Sequence, residues 1–177
     1  VGQPKLARLT KLVKNGQSTI TVAADSAATV EGLSQAATAE ECTIRVIVEM
    51  DTGGHRCGVQ SPQETLALAQ LIDHLPGLHF AGVMTYHIGE RVGPYIEEVK
   101  ELTSTAGLAL EIISAGCTGG QNFCKSVGCT ETRIGSYAYE GSNMAETKSY
   151  QTLPLTEVTA TVGEGLLLRG HSSGGAC

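Results

Sequence analysis

The stretch Val46-Ile47-Val48-Glu49-Met50-Asp51-Thr52-Gly53-Gly54-His55-Arg56-Cys57-Gly58-Val59 constrains the fold more than any other: β-branched residues without polar alternation run straight into a glycine-broken, charged loop. Such a run reads as a strand buried on both faces, the habit of a parallel sheet rather than of an antiparallel sheet with one wet side. Asp51 and Arg56 then fall just past the strand's C-terminal end. That is the end at which ligands bind in open α/β sheets and in (β/α)8 barrels alike.

The elements around this strand alternate. Lys5 to Lys14 is predicted as an amphipathic helix with Leu6, Leu9, Leu12 and Val13 on one face, Pro4 near its start and Asn15-Gly16 as a stop. Thr19–Ala23 reads as a short strand. Asp25-Ser26 then caps a helix to about Ala39 carrying Val30, Leu33 and Ala36. The central strand spans Thr43 to Met50. After its loop, Ser61-Pro62-Gln63-Glu64 supplies the cap, the first-turn proline and the acidic start of a helix to His74, with Leu66, Ala69, Leu71 and Ile72 as its apolar side. Pro76-Gly77 breaks the chain, and Leu78 to Tyr86 forms another buried strand whose end delivers Thr85, Tyr86 and His87. Pro94 to Gly107 reads as a helix, Leu108–Ile113 as a strand, Ser114–Gly120 as a small-residue turn, 122–127 as a short helix and Thr130–Ile134 as a last short strand.

Strands alternating with helices over short connections predict a parallel α/β architecture with right-handed crossovers. Five strand units precede Gly141. Five strands complete a doubly wound sheet, whereas a (β/α)8 barrel needs about 250 residues, so in a barrel reading this chain of 177 residues is a part of one. Beyond Leu153, Leu155–Val162 and Leu166–Arg169 look like strands of an antiparallel element, and the glycine-rich tail His171–Cys177 is expected to be disordered.

With 41% hydrophobic and 17% charged residues the composition is that of an ordinary globular domain. A net charge of -6 without clustered Lys and Arg argues against nucleic acid as a partner. Apolar runs such as Val46–Val48 and Gly165–Leu168 are far shorter than the roughly 20 residues of a membrane span, and Val1–Lys5 has no signal-peptide pattern. The expectation is a cytoplasmic protein. Cys42, Cys57, Cys117, Cys124, Cys129 and Cys177 contain no C-x-x-C pair, so they read as reduced thiols rather than a disulfide scaffold or structural zinc site.

Two turns have the composition of anion cradles: Ser114–Gly120 and Gly135-Ser136, each following a strand, where small residues let backbone N–H groups approach a phosphate. The first lacks the ending of a P-loop and the spacing of a dinucleotide fingerprint, and a tight turn without ligand is the other reading. Two such turns at adjacent strand ends can grip one phosphate between them. Arg56 and Arg133 stand at or near strand ends; taken singly, each also reads as a solvated or salt-bridged arginine. Asp51 can cap its loop, and Glu49 can pair with Arg45 or Arg56. The lysines Lys5, Lys11, Lys14, Lys100, Lys125 and Lys148 fall on helices or loops, and none looks like a desolvated nucleophile.

Four ordered blocks carry a family likeness: Val48–Val59, then Pro76-Gly77-Leu78 with Phe80–His87, then Ile113–Gly119, then Thr130–Tyr137. They resemble the alanine-racemase-type barrel of pyridoxal-phosphate enzymes (fold type III), most of all its D-threonine aldolase and D-serine dehydratase branch, over roughly residues 2–146. The fold this implies is a partial (β/α)8 TIM barrel, about its last five strand-helix units, as a PLP-binding domain over 1–146, with a remnant of a C-terminal β domain over 147–169 and a tail over 170–177.

The resemblance implies pyridoxal 5'-phosphate as cofactor. Ser114, Gly116, Thr118 and Gly119, with Gly135 and Ser136, would hold its phosphate. Arg133 matches the arginine that faces the pyridine nitrogen, Arg56 the one near the phenolic oxygen and the substrate carboxylate, and Tyr86 or His87 would lie against the ring. A cation at the pyridine nitrogen weakens the ring as an electron sink and leaves more of the chemistry to the protein's bases.

The family's Schiff-base lysine ends the first barrel strand, and this chain is expected to begin after it. The divalent metal of the aldolase branch belongs to the downstream domain, and no metal ligand is assigned here. The implied parent is a lyase acting on small D-3-hydroxy amino acids, possible as a homodimer, with the present chain inactive alone because it lacks the lysine and leaves two strand edges open. A racemase of the same fold, a non-catalytic PLP carrier and an unrelated doubly wound nucleotide module are the alternatives.

Overall fold

The computed structural model describes residues 2–86, 89–116 and 120–135, and the backbone of 159–161 and 167–169. The order is α1 (Gln3–Asn15), β1 (Thr21–Ala24), α2 (Ala27–Ala39), β2 (Ile44–Glu49), α3 (Pro62–His74), β3 (Leu78–Met84), α4 (Val92–Thr105), β4 (Ile112–Ala115), α5 (Gln121–Ser126) and β5 (Glu131–Thr132). Helix starts follow side-chain chemistry: the Ser26 and Ser61 hydroxyls accept from the amides of Thr29 and Glu64, and Pro62 opens α3 where no amide is needed. Gly16, at φ 64°, ends α1 in the left-handed conformation.

The five strands are all parallel and lie in sequential order, β1-β2-β3-β4-β5. Right-handed crossovers that always step in one direction put the helices on one side of the sheet, and neighbouring helices α1 to α4 pack on one another in turn. A doubly wound sheet instead reverses direction at a switch point. None occurs among the described strands, so the architecture is that of an incomplete (β/α) barrel and the doubly wound alternative falls away. A separate antiparallel pair, β6 (Thr159–Thr161) with β7 (Leu167–Arg169), lies within the two predicted C-terminal strands. The tail 170–177 lies outside the described residues.

Ile44, Val46 and Val48 of β2, with Phe80, Val83 and Ile113, join Val30, Leu33, Ile72, Ile96 and Val99 of the helices in one buried core. Each such side chain contributes roughly 1.5–3 kcal/mol relative to exposure. Alternate strand residues face the other way, toward what would be the barrel interior; Ala23, level with Ile47, is exposed there. Among the described residues no helix is long and apolar enough to cross a membrane.

Three local expectations are corrected. On α1 the buried pair is Leu6 and Thr10, while Leu12 is 57% exposed; at about 100° per residue Leu12 is rotated well off the Leu6 face. On α3 the core face is Thr65, Leu68, Ala69 and Ile72, with Leu66 and Leu71 half-buried at its margins. The fourth strand runs over Ile112–Ala115 rather than 108–113. Its ladder with β3 begins only at Gly82, where a bulge leaves Ala81 without a register partner on β2. Gly82 has φ 141°, and a Cβ there would stand 1.9 Å from the Ile112 carbonyl oxygen, so only glycine lets β4 lie against β3.

Candidate functional site at the strand ends

The loop after β2 is closed on itself. The Asp51 amide donates to the Val59 carbonyl (2.9 Å) and the Val59 amide to the Glu49 carbonyl (2.9 Å), so residues 51–58 bulge from a short parallel bridge. Gly58 makes this closure possible: at φ 111°, its missing Cβ would sit 2.5 Å from the Asp51 nitrogen. Inside the loop the buried Asp51 carboxylate accepts from the amides of Gly53 (2.9 Å) and His55 (3.0 Å) and from Gln60 Nε2 (3.3 Å). The Gly53 bond, then those of His55 and Gln60, hold its pKa below the usual value against its burial. Asp51 therefore caps the loop. From α4, the Tyr95 hydroxyl secures the loop's far end by donating to the Val59 carbonyl (3.3 Å).

The loop aims Arg56 across a cleft lined by Glu49, Asp51, Thr52, Cys57, Thr85 and Tyr86, among others. Arg56 Nη2 lies 3.9 Å from Glu49 Oε1, and its guanidinium stacks 4.1 Å from the Tyr86 ring centre. Glu49 also accepts the Cys57 thiol (3.1 Å). Arg45, the other partner considered for Glu49, instead pairs with Glu111 (2.6 Å), which also holds His79 (2.6 Å).

Arg133 approaches the end of β3 from the opposite side. One guanidinium nitrogen donates to the Ser114 hydroxyl and another to the Thr85 carbonyl (2.6 Å). Ser114 is buried on β4, and its carbonyl accepts the Thr85 amide (2.9 Å). The Thr85 hydroxyl in turn meets that of Thr52 at 2.8 Å, both buried. Among the described residues Arg133 has no carboxylate partner.

Arg56, Tyr86, Ser114 and Arg133 are thus brought together around Thr85. Gly116, at φ 94°, turns the chain directly after β4, and Gly135 follows two residues after Arg133. His87, Thr118, Gly119 and Ser136 lie outside the described residues. Neither Thr52 nor Thr85 is a site residue in the sequence reading; for Thr85 the available signal is a hydroxyl that directly follows the mostly apolar strand β3. Lys5, Lys11 and Lys14 ride on α1, Lys100 on α4 and Lys125 on α5, so among the described residues no lysine stands at a strand's C-terminal end. Nor do these residues contain three His, Cys, Asp or Glu grouped to hold a metal ion.

Residues 3–143 match the family model described as alanine racemase, N-terminal domain. A D-threonine aldolase from an Arthrobacter species is 34% identical over 154 residues, covering 78% of this chain and 40% of the aldolase. A 3-hydroxy-D-aspartate aldolase from Paracoccus denitrificans (strain Pd 1222) is 32% identical over 150 residues, covering 76% of this chain and 38% of that protein. The crystal structure of D-threonine aldolase from Filomicrobium marinum superposes with a TM-score of 0.74 at 29% identity, over 82% of this chain and 43% of that one. The chain spans about two fifths of the length of the curated relatives it matches.

Proposed function

Since the chain belongs to the alanine-racemase-type, fold type III family of pyridoxal-phosphate enzymes, we propose that it is the cofactor-cradling portion of a lyase that cleaves small D-3-hydroxy amino acids. The observation that carries this is Arg133, a half-buried cation that, among the described residues, is anchored by neutral oxygens at the mouth of three strands. A half-buried guanidinium held by neutral acceptors is complementary to an electron-rich ligand atom. The donor set fits pyridoxal phosphate.

In this reading Ser114, Gly116, Thr118, Gly119, Gly135 and Ser136 hold the phosphate through amides and hydroxyls, Arg133 faces the pyridine nitrogen, and Tyr86 or His87 covers the ring. Bound there, the cofactor supplies an electron sink for the bonds at the substrate's α-carbon. Arg133 presents N–H donors and cannot take up a proton, so it leaves the ring nitrogen unprotonated. Arg56, on the open side, binds the substrate carboxylate and can swing, since Glu49, Cys57 and the Tyr86 face hold it while more than half of it stays exposed.

The substrate class rests on the two aldolase relatives, whose names give D-threonine and 3-hydroxy-D-aspartate. Cleavage between Cα and Cβ would yield glycine and an aldehyde; β-elimination to a keto acid and ammonia is the dehydratase variant. The Schiff-base lysine and any divalent metal belong, in this proposal, to parts of the protein other than the residues described.

Pyridoxamine phosphate tests the cradle without requiring a lysine, because it has no aldehyde. At a ligand concentration of about 100 Kd it should stabilise the chain by roughly 2.7 kcal/mol, read as a raised Tm. Inorganic phosphate and ATP should not match it. No shift with pyridoxamine phosphate, or an equal shift with ATP, overturns the reading.

A further inference from the structure

Cys124 and Cys129 do not line the cleft; they lie at the end of α5, just before the β5 segment that leads to Arg133. α5 ends in a reciprocal closure: the Cys129 amide donates to the Cys124 carbonyl (3.0 Å) and the Gly128 amide to the Lys125 carbonyl (3.2 Å), with Gly128 at φ 74°. This Schellman geometry brings together the side chains at its two outer positions, usually as an apolar contact. Here both are cysteines. Cys124 is buried and Cys129 is half-buried against the core, and each thiol is the largest influence on the other's titration. The Thr132 hydroxyl also donates to the Cys124 sulfur (3.5 Å), one residue before Arg133.

We infer that Cys124 and Cys129 form a modification site: a dithiol that hydrogen peroxide converts to a reversible intramolecular disulfide across the end of α5. The Cys129 thiol, then the Thr132 hydroxyl and the Arg133 charge, bring Cys124 down to about 6 against its burial, while the Cys124 thiol and burial push Cys129 up. The pair therefore carries one shared thiolate at neutral pH, and peroxide is small enough to reach it from the half-exposed Cys129 side. The thiolate attacks one peroxide oxygen, the O–O bond breaks, and the departing hydroxide takes up a proton to leave as water. The partner thiol then displaces a second water from the sulfenic acid as the S–S bond forms. Two thiols lose two electrons, peroxide gains them, and a thiol reductant restores the pair by exchange. Closure also removes the negative charge that Thr132 and Arg133 face.

The full chain, folded, is treated with stoichiometric hydrogen peroxide, blocked with iodoacetamide and digested with trypsin, which cuts after Lys100, Lys125 and Arg133. A disulfide between peptides 101–125 and 126–133 is expected. It should vanish with dithiothreitol, persist in C117S, and be lost in C124S and in C129S. Unlinked peptides from the folded wild-type chain, a link that persists in C124S through Cys117, or a link that forms only after unfolding in urea overturns the proposal.

Discussion

The two sides of the β3 end hold their arginines in opposite ways. Arg133 is half-buried and donates to Ser114 and to the Thr85 carbonyl. Arg56 is 59% exposed and held by a 3.9 Å ion pair, by Cys57 and by the face of Tyr86, itself 50% exposed. Hydrogen bonds from a charged group contribute roughly 1.5–3 kcal/mol each, whereas exposed ion pairs contribute about 0–1 kcal/mol. Arg133 is therefore part of the scaffold, set before any ligand arrives. Arg56 is a poised group whose contacts a ligand can replace at little cost.

The contrast is broken most completely by removing the strand end that both arginines share. Gly82→Ala forces a Cβ into the Ile112 carbonyl and should cost more than about 4 kcal/mol, giving little folded protein by far-UV circular dichroism. A well-folded Gly82→Ala chain would mean that β4 does not pair with β3 in this register. Next in size, Arg133→Leu leaves the Ser114 hydroxyl and the Thr85 carbonyl without their donor and should lower stability by roughly 2–4 kcal/mol in urea titration. A loss below about 1 kcal/mol would put Arg133 on the same footing as Arg56.

The difference between the two arginines was only half legible in the sequence. The strand-helix alternation, the caps at Ser26 and Ser61 and the position of both arginines near strand ends depend on local pattern, and they could be read. The partners of Arg133 come from 19 and 48 residues away, and no local signal points to them. The placement of β4 depends on one glycine of β3, again a tertiary matter. Leu12 shows the converse: its apolar character suggested burial, yet the rotation of α1 carries it into solvent. The loop cap is one of the two readings open for Asp51, and it is legible because Gly53 and His55 lie within its own turn.

Asp51 sharpens the contrast on the Arg56 side, since the loop is tied by its own hydrogen bonds while its arginine is exposed. Its carboxyl titrates below its unfolded value, so the stability it contributes is present above about pH 4 and is lost as pH falls through the lower, folded pKa. The wild-type chain should lose stability on acidification in that window, and Asp51→Asn should lower stability at pH 7 by roughly 1–3 kcal/mol and flatten that part of the profile. Parallel acid profiles for the two chains would show that the Gly53 and His55 bonds do not depend on the charge.

The smallest effect on folding belongs to Arg56→Ala. Its ion pair is long and exposed, and its stacking partner is half in water, so the urea midpoint should not move. Pyridoxamine phosphate affinity should fall by about tenfold or less, because in the proposed cradle Arg56 reaches the phenolic oxygen while the phosphate and ring nitrogen keep their own partners. Arg133→Leu must behave differently, losing stability and affinity together. If Arg56→Ala destabilises the chain as much as Arg133→Leu, then Glu49 and Tyr86 clamp the first arginine as firmly as Ser114 and Thr85 clamp the second, and the β3 end has two fixed sides rather than one fixed and one movable.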